Sequence, residues 1–137
     1  MNSYVIYNTQ HQVIICKEHE CAVSSKSIIR HFRDEHDITV EQRQEIFNFA
    51  SRKVIVEADQ LEYSIDRVLP IPYLKVVTAY QCQYEGCSLI LSTVGSIKKH
   101  VKVDHAWKAK DGICWSDTQA QTFYLGNGRR FTTLRSD

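Results

Sequence analysis

The stretch from Cys82 to His105, CQYEGCSLILSTVGSIKKHVKVDH, decides how this chain is read, because its cysteines and histidines stand at C-x4-C-x12-H-x4-H. A tetrahedral zinc ion needs four soft-to-borderline donors held close together. A β-hairpin knuckle can supply two thiolates while one helix face supplies two imidazoles. The apolar positions agree: Leu91 stands four after Cys87 and Ile97 ten after it, the places from which a ββα finger builds its small core. His100 and His105 then fall on the last turns of a helix beginning near Ser92 or Thr93. The wide x4 interval between them suggests a loosened or 3-10 final turn. Unrelated cysteines beside unrelated histidines would have to match both the ligand spacing and the core positions by chance. Cys82, Cys87, His100 and His105 are therefore expected to hold one zinc ion.

A second copy of the pattern stands nearer the N-terminus, in CKEHECAVSSKSIIRHFRDEH from Cys16 to His36. A literal copy takes Cys16, Cys21, His31 and His36, but leaves nine residues between Cys21 and His31, three fewer than in the other motif, and puts Ser25 at the first core position. If His19 replaces Cys21, the motif becomes C-x2-H-x11-H-x4-H, Val23 falls four after the ligand, and Ile28 precedes His31 as Ile97 precedes His100. The register favours His19. Thiolate is the better zinc ligand, which keeps Cys21 as the alternative. Two ligand sets this far apart call for two zinc ions per chain.

Tyr4–Tyr7 and Val13–Cys16 read as short strands around a polar turn, with His11 a solvated loop residue in it. Between the motifs, Thr39-Val-Glu-Gln42 is a capping box, and Ile46, Phe47, Phe49, Ala50 and Val54 recur at helical spacing, predicting a helix from Val40 to Lys53. Its apolar stripe reads as packing against a finger, ahead of a partner-binding face. Pro70 and Pro72 break the chain before Leu74–Tyr80, the expected first strand of the second hairpin. Cys114 has no ligand neighbour and reads as a small buried hydrophobe. Gln121–Leu125 and Arg129–Leu134 around Gly-Asn-Gly predict a closing β-hairpin; the glycines open no helix and are no phosphate loop.

The runs VIICKEHECAV, IIRHFRDEHDI, PIPYLKVVTAYQCQYEGC, IKKHVKVDH and AQTFYLGNGRRFTTL together resemble the fungal OrsD-like zinc-finger family, over roughly residues 4 to 134. The resemblance implies a first finger of C-x2-C or C-x2-H followed by a residue and Ala-Val, which maps onto Cys16, His19 and Ala22-Val23. This chain departs from that pattern by adding Cys21. The family implies C2H2-like fingers and a fold more than a defined biochemical role.

The expected architecture is α+β: a first zinc finger over 1–38, a helical interfinger linker over 39–73, a second finger over 74–110 and a C-terminal β-hairpin extension over 111–137, which can also pack as one compact unit. No run approaches the length of about eighteen apolar residues that spans a membrane, and the N-terminus lacks a secretory pattern. An odd count of five cysteines then favours reduced, metal-binding thiols in an intracellular, nuclear protein.

Net charge is only +1, yet residues 82–110 carry five lysines against Glu85 and Asp104. The leading functional reading is a nucleic-acid module, DNA favoured, in which structural zinc holds a finger helix toward a groove. Counting back from the histidines, base-facing positions are Thr93, Ser96 and Lys99 in the second finger, with Ser27 and Arg30 in the first; Lys98 and Lys102 offer phosphate contacts. Short hydroxyls with single basic residues are a weak reading set, since bidentate base contacts favour Arg, Asn or Gln. The alternative is a zinc-stapled protein-interaction domain. Membrane binding, small-molecule turnover and catalysis are not expected, because four protein ligands leave zinc no open position for water.

Overall fold

The computed structural model describes residues 4–61, 68–124 and 130–134. It is a mixed α+β fold with two antiparallel sheets, and its contacts divide into two compact units, one of residues 4–61, 72–75 and 123–124 and one of residues 68–71, 76–122 and 130–134.

In the first unit, strands β1 (Val5–Asn8), β2 (Val13–Cys16) and β3 (Cys21–Val23) form a sheet in the order β1-β2-β3. Every residue of β2 and β3 is buried, so both faces of these short runs are covered. Helix α1 (Ile28–Asp34) lays Ile28 and Phe32 on this sheet. Helix α2 (Val40–Ser51) adds Ile46 and Ala50 to the same core, with Ile14, Cys16 and Val23. The linker helix is thus part of the first unit's core, and its apolar stripe is used in packing. Its capping box is formed: Thr39 Oγ1 accepts from Gln42 N at 3.1 Å, and Gln42 Oε1 accepts from Thr39 N at 2.9 Å. The helix stops at Ser51, two residues before the expected end, and Val54 lies beyond it, 68% exposed. His11 is half-buried rather than solvated: its ring lies 5.0 Å from that of Phe123, and its backbone N–H donates to Asn8 Oδ1.

In the second unit the sheet runs β5-β4-β6-β7, from β4 (Val77–Cys82), β5 (Ile90–Leu91), β6 (Trp115–Gln121) and β7 (Thr132–Thr133). Helix α3 (Val94–Asp104) packs Ile97 and Val101 against Cys82 and Cys114. The β4–β5 hairpin shares only two residue pairs, Tyr80↔Leu91 and Gln81↔Ile90, whereas β4 pairs with β6 over six, from Val77↔Ala120 to Cys82↔Trp115. The expected strand Leu74–Tyr80 is shifted to 77–82. The expected hairpin strand Gln121–Leu125 is replaced by β6, which ends at Gln121; β7 pairs with it at Ala120↔Thr133 and Gln121↔Thr132, and the Gly-Asn-Gly turn lies outside the described residues. Gln121 is almost wholly buried, yet its amide is satisfied: Ile71 N donates to Oε1 at 2.8 Å and Nε2 donates to Ile71 O at 3.0 Å. Among the described residues no helix is long and apolar enough to cross a membrane.

Candidate metal centres

Each unit gathers one group of four cysteine and histidine side chains whose donor atoms all lie within 4.8 Å of one another: Cys16, His19, His31 and His36 in the first, and Cys82, Cys87, His100 and His105 in the second.

The first group is assembled by three local devices. Cys16 ends β2, and the chain turns back through Glu20, held at φ 55°, with Glu20 N donating to Cys16 O at 2.8 Å. That turn presents His19, whose Nδ1 lies 3.4 Å from Cys16 Sγ. His31 sits in α1, and His36 follows it, past the cap residue Glu35. His36 Nε2 stands 3.3 Å from Cys16 Sγ and 3.1 Å from His31 Nε2. Phe32 stacks on His36 with centroids 4.7 Å apart, so the core residue of α1 also fixes the imidazole.

Cys21 is not one of the four. It faces Cys16 across the β2–β3 ladder and is buried, and burial pushes its thiol up to about 11. Val23 and Ile28 do meet in one core, the arrangement that the His19 register requires.

In the second unit Cys82 ends β4, and the turn to Cys87 passes through Gly86 at φ 84°, a left-handed conformation that favours glycine. Cys87 Sγ lies 3.4 Å from His100 Nε2, which lies 3.1 Å from His105 Nε2. Tyr84 stacks on His105 at 4.1 Å. The final helical turn is not loosened: His105 N still donates to Val101 O, four residues back, at 3.3 Å. The wide spacing is absorbed beyond the helix instead. His105 is the cap residue and Ala106 turns left-handed at φ 51°, just as His36 lies past the end of α1.

Each group has beside one imidazole a carboxylate that the motif spacing does not indicate, and in the second group it is hydrogen-bonded to the ring. His100 Nδ1 lies 2.8 Å from Asp104 Oδ2, one helical turn on, a contact that favours the tautomer with the proton on Nδ1 and leaves Nε2 facing Cys87 and His105. His36 Nδ1 lies 2.7 Å from Glu18 Oε2, close but off the ring N–H axis, and Glu18 is exposed enough to rotate into line. Burial pushes the Cys16 and Cys82 thiols up, and burial first, then neighbouring imidazoles, pushes His31 down, so it is neutral. Donor lone pairs that face one another beside buried thiols are mutually repulsive once a thiol ionises; a cation at their centre reverses that. With zinc–sulfur bonds of about 2.3 Å and zinc–nitrogen bonds of about 2.0–2.1 Å, a tetrahedral shell has donor–donor edges of roughly 3.3–3.8 Å. The observed separations fit that shell, contracted slightly.

The residues expected to meet nucleic acid lie elsewhere on the helices. Thr93 caps α3: its Oγ1 accepts from Ser96 N at 3.1 Å and contacts Ser96 Oγ at 2.8 Å, so both hydroxyls serve the helix end. Lys98, Lys99 and Lys102 are exposed and make no ion pair among the described residues. Arg30 is exposed and reaches Asp34 at 4.0 Å.

Comparison with known proteins gives this arrangement a context. The chain is 24% identical over 125 residues to the orsellinic acid/F9775 biosynthesis cluster protein D of Emericella nidulans, an alignment covering 91% of this chain and 24% of that protein. The chain thus spans about a quarter of the length of that relative. No solved structure matches it. The family described as orsellinic acid/F9775 biosynthesis cluster protein D matches residues 3–106, which hold all eight clustered cysteines and histidines, and the chain belongs to this OrsD family.

Proposed function

We propose that each group holds one zinc ion as a structural staple, and that the module so folded binds nucleic acid through α3. The observation that carries the metal reading is the convergence of four donors in each unit, with a carboxylate, Glu18 or Asp104, beside one imidazole of each. Four protein donors complete a tetrahedral shell, which suits a structural ion rather than a catalytic one. The first site offers one thiolate and three imidazoles, and the second two of each. Mass spectrometry of the native protein is expected to find two zinc ions per chain. One ion or none would remove the double-staple reading.

For nucleic acid, the support is the row Lys98, Lys99 and Lys102 on an exposed helix, free of ion pairs among the described residues. Since Thr93 and Ser96 are occupied in capping, this helix favours phosphate contact over base reading. Binding to a labelled DNA duplex across a salt series is expected to show a log–log slope of about −3, from about −0.9 per phosphate neutralised by three lysines. A flat profile would instead favour the protein-interaction reading.

A further inference from the structure

The second unit carries an open cleft of 750 Å³ that neither metal group uses. Its walls are Val101 from α3, Trp107, Ile113 and Trp115. Above them stand Lys98 and Lys102, one turn apart on α3, and Lys108 from the following segment; among the described residues no carboxylate lines the cleft. We propose that this cleft binds a small organic anion with a flat or extended apolar body, seated on the two indoles with its charged head among the three lysines.

Three observations carry this. The volume lies within the range of about 300–1,000 Å³ usual for small-molecule sites. The wall is held in place before any ligand arrives: Trp107 N donates to Val101 O at 2.9 Å, and its indole Nε1 donates to Gly112 O at 3.1 Å, pinning the ring and closing the loop that carries Ile113. Gly112 stands at φ 95°, the left-handed conformation this closure needs. Charge and polarity are also segregated. The three lysines make no ion pair among the described residues, while Ile113 remains 73% exposed at the lip. An apolar floor offers nothing to the hydrogen-bonding edges of a nucleobase, but it suits a hydrocarbon or aromatic body. Lysine heads on flexible stems then reach a carboxylate or sulfonate as point charges.

Both tryptophans of the chain line this cleft, so tryptophan fluorescence, excited selectively over the seven tyrosines and read at constant zinc loading, reports on it. Decanoate, titrated below its micellar range into the zinc-loaded full chain, is expected to give a saturable blue shift with one ligand per chain by calorimetry. Decyltrimethylammonium, with the same tail and opposite charge, is expected to give none. The double variant Lys98→Glu/Lys102→Glu should bind decanoate about tenfold more weakly, and Ile113→Glu, a change at an exposed position, should bind it no better. The double variant Lys26→Glu/Lys75→Glu, which changes net charge equally at two exposed positions that do not line the cleft, should bind as the parent does. Equal binding of the cationic tail would overturn the proposal, as would undiminished binding by the double variant with its zinc retained, or the absence of a saturable shift. Displacement of decanoate by thymidine, which has a nucleobase and no charge, at lower concentration than any organic anion would also overturn it, giving the indole floor to a nucleobase.

Discussion

Cys82→Ser is expected to strip one of two zinc ions from the chain and to melt α3 with the β4–β5 turn. Structural zinc contributes about 10–16 kcal/mol in small finger units, comparable with the whole net stability of about 5–15 kcal/mol of an ordinary domain. The core beneath α3 is too small to replace it: among the described residues only Ile97, Val101, Cys82 and Cys114 are buried there. Serine nearly matches cysteine in volume, so the change isolates ligation from packing. Cys114→Ser is the matched comparison, a buried thiol in the same core but outside the four donors. It should keep both metals and lose about 1–3 kcal/mol, the cost of a hydroxyl in apolar surroundings. Zinc content, circular dichroism at the helical minimum and the thermal midpoint, measured on both variants, separate the cases. If Cys82→Ser retains two zinc ions and the parental midpoint, Cys82 is not a ligand.

The second large effect concerns the first site. His19→Ala is expected to lose one zinc ion, while Cys21→Ala keeps both and gives up about 1 kcal/mol of packing. His19 Nδ1 already stands 3.4 Å from Cys16 Sγ, on a turn that can close on a metal without moving the sheet. Cys21 is locked into β3 by its ladder with β2, and Ala22 N donates to Phe123 O, so its thiol reaches the centre only if that strand shifts. The cost of that shift decides the choice against the greater affinity of sulfur for zinc. Retention of both metals by His19→Ala would show that the strand does shift, and would sink the assignment.

Most of the candidate site was legible in the sequence because ligand spacing and core spacing repeat one another. Leu91 and Ile97 lie beside the second group as Val23 and Ile28 lie beside the first. The capping box at Thr39 was legible for a similar reason, since Thr and Gln three apart satisfy each other's backbone locally. What was not legible lacks a local signature. β6 reads Trp-Ser-Asp-Thr-Gln-Ala-Gln, and its inward residues Thr118 and Ala120 are too small or polar to show the alternation of a half-buried strand. β3 is only three residues long and hides between two candidate ligands. The histidine spacing was misread as a distortion inside the helix, because a residue that leaves a helix through a left-handed turn looks the same in one dimension. Glu18 and Asp104 have no local signature as partners of a metal group, being ordinary surface carboxylates until the fold brings them beside imidazoles.

The six-pair ladder between β4 and β6 makes the second metal motif unlike a bead that can be cut from a string. In a free-standing finger the hairpin's outer edge faces solvent, and the unit can be copied, moved or shuffled between chains as a cassette. Here a cut after residue 110 would take β6 away and leave a row of unpaired amides and carbonyls along β4, up to the strand's last residue, Cys82. The inheritable unit is therefore the metal motif with the strand that follows it, and a graft that carries only the ligand motif would import an aggregation-prone edge with its metal site.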